Sequence, residues 1–199
     1  MKTPSSSRKN GFTLVELLVV IAIIAVLAGA GFAAGNAAIQ KAKKTTALAT
    51  VVALESAVNN FYTEYGSMPT SAATETAIDI NSAEGKTLLN VLLGLTETTT
   101  PPLNPRAIKF LSVREGKAKG ATGGANGIVY NTTGTTIVGL FDPWGGPYKL
   151  VLDTNYDEKI ITAPTNGGGA TLNSRRVAAW SEGADYATSK KTGDDVKNW

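Results

Sequence analysis

An α+β fold is predicted, on three observations. An apolar run starts at Phe12 and carries no charge between Glu16 and Lys41; large apolar residues then recur at helical spacing as far as Tyr65; and short β-like runs follow Pro105. The first two imply one long helix from about Phe12 to Tyr65, and the third an antiparallel sheet laid across the helix's second half.

The elements follow in chain order. Residues 1–11 (MKTPSSSRKNG) are polar and basic and hold nothing that packs, so they read as an address and not as part of a fold. Residues 17–34 are apolar apart from Gly29 and Gly31. A helix of 18 to 22 such residues, at 1.5 Å per residue, covers about 27–33 Å, the hydrocarbon thickness of a bilayer. Lys2, Arg8 and Lys9 on its near flank predict a cytoplasmic N-terminus and an extracytoplasmic remainder. Beyond it, Leu48, Val51, Leu54, Val58, Phe61, Tyr62 and Tyr65 form an amphipathic stripe, which Gly66 and Pro69 terminate. A short helix is expected over Glu84–Leu95, capped by Ser82. Strands are expected at Ile108–Val113, Ile128–Tyr130, Thr136–Phe141, Tyr148–Asp153, Lys159–Thr162 and Val177–Trp180, and Gly116–Gly127 reads as a mobile loop. The expected outline is a ladle.

Composition narrows the function. There is no histidine and no cysteine, which excludes disulfide scaffolds, Cys/His zinc sites, thiol nucleophiles and imidazole bases. Of 19 basic residues three lie in the first eleven positions, and the other 16 are balanced by 16 acids, so no footprint for nucleic acid exists. The one nucleophile–base pairing open to an enzyme is Ser181 with Lys190 or Lys191. A non-enzymatic chain is expected.

Glu16 is the residue that sits badly in this scheme. A carboxylate near the edge of a membrane helix is costly without a partner, and the nearest cation behind it is Lys9, seven residues away and before Gly11. A cut between Gly11 and Phe12 would create an α-amino group four residues from Glu16, available to it or to the Glu16 of an adjacent copy. Two plainer readings compete. A secretory signal peptide would use the small residues Ala28-Gly29-Ala30, but this run exceeds the ~7–15 apolar residues of such a segment. An uncleaved anchor would need neither Gly11 nor Glu16.

Gly11-Phe12-Thr13-Leu14-Val15-Glu16 followed by a wholly apolar helix resembles the leader-peptidase site of type IV pilins and type II secretion pseudopilins. The resemblance implies cleavage after Gly11 by a membrane-embedded prepilin peptidase, methylation of Phe12, and a role for Glu16 in assembly. It divides the chain into a leader (1–11), a membrane and assembly helix (12–35), an amphipathic stem (36–66) and a soluble domain (67–199). It departs from many members in having Ala33 where they place a proline; Gly29, Gly31 and Gly35 are offered instead, which leaves room for local loosening during packing without a proline to impose it.

Phe141-Asp142-Pro143-Trp144-Gly145-Gly146-Pro147-Tyr148 reads as a turn anchored by a buried Trp144, and it resembles a signature of major pseudopilins. The tail, Ser181-Glu182-Gly183-Ala184-Asp185 and then Asp194-Asp195-Val196, resembles their calcium loop. Carried over by position, Asp185 and Asp195 would supply side-chain ligands, Glu182 and Val196 backbone carbonyls, and Asp194 is a substitute. Tyr186 departs from a frequent glycine. A solvated acidic tail with a tryptophan anchor is the alternative. Asp153-Thr154-Asn155-Tyr156-Asp157 suggests an EF-hand only superficially, since Glu158 and Pro164 stand where that loop needs glycine and glutamate. A hairpin turn is expected there, with a second calcium site as the alternative. The resemblance implies partners: prepilin peptidase, copies of the chain, minor pseudopilins and an inner-membrane assembly platform. A type IV pilin, a minor subunit and a membrane-anchored extracytoplasmic binding protein are the competing functions.

Overall fold

The computed structural model describes residues 11–72, 74–97, 99–162, 170–188 and 193–199. The chain forms two compact units, residues 1–41 and 42–199. Helix α1, Leu14–Tyr65, contributes to both.

In the first unit α1 runs through Gly29, Gly31 and Gly35 without a break; in the single chain, intrahelical hydrogen bonds outweigh about 1 kcal/mol per glycine. Its large apolar side chains, Leu17 to Leu27 among them, are exposed along the whole surface, and the segment is long and apolar enough to cross a membrane.

In the second unit α1 buries Ala47, Val51, Leu54, Val58 and Phe61 in one row, and the ring of Phe61 meets that of Phe110 edge-on at 5.3 Å. Leu48 is the exception to the predicted stripe, at 42% exposed. It lies about 100° around the helix from Ala47, off the row that the other five define. Helix α2, Ala83–Leu93, starts where the sequence predicts: the Ser82 hydroxyl accepts the Gly85 N–H at 3.0 Å, and Gly94 closes the helix at φ +66°.

The main sheet is antiparallel, with β1 (Ile78–Asp79), β6 (Tyr148–Leu152), β9 (Val177–Ser181) and β10 (Val196–Lys197) in that order. Every residue of β9 and all but Lys149 of β6 are buried. Three two-stranded pairs complete the unit: β2 (Lys117–Lys119) with β3 (Gly123–Ala125), β4 (Gly127–Tyr130) with β5 (Ile137–Phe141), and β7 (Lys159–Thr162) with β8 (Ala170–Asn173). Small antiparallel sheets packed with a long helix give the α+β class that the sequence predicts.

Four expectations fail, each for a physical reason. Gly116–Gly127 is a paired hairpin, not a loop, because Gly124 lies under the Phe141 ring, where a Cβ would come within 2.5 Å. Ile108–Val113 forms no strand. Its backbone groups are taken elsewhere: buried Asn104 donates to the Val91 and Ile108 carbonyls and accepts from the Ile108 N–H and the Tyr65 hydroxyl, and the Phe110 and Leu111 N–H groups both donate to the Leu92 carbonyl. Asp153–Glu158 is no hairpin turn, since β6 pairs with β1 and β9 while β7 pairs with β8. Trp144 is only half-buried; the anchors of its turn are Phe141 and Tyr148.

Candidate functional site

At the N-terminal end, Gly11, Phe12 and Thr13 precede the helix. Thr13 and Glu16 form a reciprocal cap. The Glu16 carboxylate accepts from the Thr13 N–H at 2.8 Å and the Thr13 hydroxyl at 2.7 Å, and the Thr13 oxygen accepts the Glu16 N–H at 3.2 Å. Two orphan donors at the start of the helix are thereby satisfied, and a negative charge sits at the positive end of the helix dipole. Glu16 therefore has a partner within its own helix, contrary to the sequence reading. The signal was in the text as Thr-x-x-Glu before an apolar run. Thr13 supplies hydrogen bonds and no opposite charge.

Gly11 is exposed, and a Cβ built on it would meet nothing within 4 Å. Neither packing nor backbone conformation in this chain calls for glycine there. The Gly11–Phe12 bond lies two residues ahead of the first helical position, outside the hydrogen-bond ladder that would hinder a hydrolase.

Residues 6–32 match the family model described as the prokaryotic N-terminal methylation motif. No curated protein and no solved structure matches the chain. The motif is the signal of type IV pilin-like prepilins; it implies processing by prepilin peptidase and pilus-like assembly, and it points to a structural subunit. With the apolar helix that begins inside it, the motif indicates single-pass membrane anchoring.

The second candidate site is the C-terminal loop. The tail doubles back: Val196 pairs with Ser181 and Lys197 with Trp180, Asn198 bonds the backbone of Val177 and Ala179, and Trp199 packs edge-on against Trp180 at 5.9 Å. Between the two strands, Glu182 and a single 3-10 turn, Gly183–Asp185, lead out, and Asp194–Asp195 lead back. Burial pushes the Asp195 carboxyl up; Lys197 opposes the shift, and Asp194, Asp185 and Glu182 add to it. The four acids thus share one field. Asp194 accepts the Ala184 N–H at 2.8 Å, and Glu182, 3% exposed, is paired with Lys149 at 2.6 Å. Lys190 and Lys191 lie outside the described residues. Ser181 is wholly buried with its hydroxyl donating to Asp142, so no substrate can reach it as a nucleophile.

The tightest acidic group among the described residues is elsewhere. Carboxylate oxygens of Glu75, Asp153 and Asp157 all lie within 4.8 Å of one another. Burial pushes Glu75 up, the Asn155 N–H pulls it down, and Asp153 and Asp157 push it up again. Asp153, 1% exposed, accepts the N–H groups of Asp157 and Glu158 and so shapes its own turn. Glu75 had no signal in the sequence, because it comes from a Thr-rich stretch far upstream.

Proposed function

We propose that this chain is the structural subunit of a type II secretion pseudopilus. The observation that carries the reading is the methylation motif with its Gly11–Phe12 bond lying outside the helix, directly before the Thr13–Glu16 cap. The precursor is anchored in the cytoplasmic membrane with its N-terminus inside and its β-domain in the periplasm. Prepilin peptidase cuts after Gly11 and Phe12 is methylated. Copies then leave the lipid by packing their apolar helices together, since in water no other surface would cover them. Minor pseudopilins and the assembly platform are the further partners. The pseudopilin assignment, over a type IV pilin, is supported by the Phe141–Tyr148 turn and by the shape of the tail.

The deciding measurement is the intact mass and first residue of the membrane-extracted protein. A chain that starts at methylated Phe12 is expected; a start at Met1, or near Gly31, would overturn the reading.

Calcium belongs to the same proposal. The C-terminal loop presents hard oxygen donors from Asp185, Asp194 and Asp195 and the carbonyls of Glu182 and Val196, the donor type that calcium takes. Burial raises the Asp195 carboxyl first, Lys197 opposes the shift, and Asp194, Asp185 and Glu182 add a smaller like-charge repulsion that a divalent cation would relieve. When bound, the ion would supply charge neutralisation and fix the loop; the protein's own part is to bring the returning segment back to the outgoing one, with Asp194 against the Gly183–Ala184 corner. Chelation with EGTA is expected to lower the melting temperature of the full chain in detergent, and Asp185→Ala to remove that response. At a free calcium of about 100 times Kd the stabilisation lost would be about 2.7 kcal/mol. Equal melts with and without EGTA would remove calcium from the proposal.

A further inference from the structure

The Phe141–Tyr148 turn and the C-terminal loop are joined by one hydrogen-bond chain. Asp142 is wholly buried between them. One carboxylate oxygen accepts the N–H groups of Trp144, Gly145 and Gly146 at 2.8, 2.8 and 2.9 Å. The other accepts the Ser181 hydroxyl at 2.6 Å. All four contacts place a donor on the Asp142 oxygens, so the single proton of Ser181 is committed to Asp142 and its lone pairs are left for a donor. That donor is the Gly183 N–H, at 3.1 Å.

Gly183 is the corner of the loop. Its φ is +75°, and a Cβ on it would come within 2.6 Å of the Asp194 carbonyl oxygen and 2.7 Å of a carboxylate oxygen of the same residue. The returning strand therefore closes directly on this glycine, and the next N–H, of Ala184, is the one bonded to Asp194. A second contact runs in parallel: a Cβ on Gly146 would lie 2.8 Å from the Tyr186 ring, so that ring rests on the turn's glycine.

We propose that Asp142 and Ser181 are positioning residues for the C-terminal loop: the buried carboxylate fixes the Ser181 hydroxyl, and the hydroxyl fixes the Gly183 corner on which Asp194 closes. The turn is then the footing of the loop and not a free-standing structural motif. The consequence for calcium rests on the proposed function above; the consequence for loop geometry does not.

The test compares the full chain in detergent with Ser181→Ala and Asp142→Asn, in EGTA and in calcium chloride. Ser181→Ala deletes one hydroxyl, and Asp142→Asn keeps the size of the side chain and its acceptor for the turn. The readout is hydrogen exchange at the Ala184 N–H, which touches neither substituted residue, against exchange at the β6 amides. Both variants are expected to speed exchange at Ala184 at least tenfold in EGTA, with β6 unchanged, and to weaken calcium binding at least tenfold by calorimetry. Unchanged exchange at Ala184, or an equal rise in β6, would overturn the inference. Should the unsubstituted chain bind no calcium while Ala184 still responds, the calcium reading falls and the positioning role stands.

Discussion

Gly11→Leu is expected to leave the chain uncut, with its leader attached and no methylated Phe12. The folded chain makes no demand for glycine at this position, since a side chain there meets open space. Any requirement must therefore come from the peptidase that reads the bond. A displacement of about 1 Å at a reacting bond is enough to lower a rate about a hundredfold, and an isobutyl group next to the scissile carbonyl imposes more than that. Gly11→Ala, with one methyl, should be processed in part. Mass spectrometry of membrane extracts after a pulse of synthesis distinguishes the three chains, and rapid maturation of the leucine variant would remove the peptidase from the account.

Glu16→Ala should leave insertion and cleavage intact and abolish most filament formation. The Thr13–Glu16 cap makes this a two-sided test. Losing the cap weakens only the first turn, which a 52-residue helix absorbs. In the proposed filament the charge pairs with a neighbour's new α-amino group inside a helix bundle, and losing it leaves that amine buried without its partner, a far larger cost than the cap. Glu16→Gln separates the two, because glutamine completes the cap and carries no charge. Both variants are expected to reduce filament yield by well over tenfold; assembly restored by glutamine would mean that the carboxylate serves its own helix and no neighbour.

The parts of the structure that local patterns dictate could be read directly. Leu14–Tyr65 as one helix, Ser82 as a cap, and five of the strands follow from spacing and turn residues within a dozen positions. The misses share a different cause. Gly124 pairs in a hairpin because Phe141 covers it, Ile108–Val113 stays irregular because Asn104 and the Leu92 carbonyl take its backbone groups, and Glu75 reaches Asp153 from another segment altogether. The site divides in the same way. Gly11, Phe12 and Glu16 were legible as a contiguous motif, while the Asp142–Ser181 bond joins residues 39 apart and leaves no periodicity to find. The Thr13 cap is equally local, a Thr-x-x-Glu spacing that satisfies the carboxylate without a cation.

The main sheet has a further property that matters once many copies share a membrane. Its inner strands, β6 and β9, have five residues each, and its outer strands, β1 and β10, have two. An outer strand so short offers another chain almost no row of unpaired amides to extend. Domains tethered by their helices to one surface meet far more often than they would in solution, and a long bare margin would invite them to fuse margin to margin into insoluble stacks. Clipped margins let the main sheets crowd at the surface without joining margin to margin.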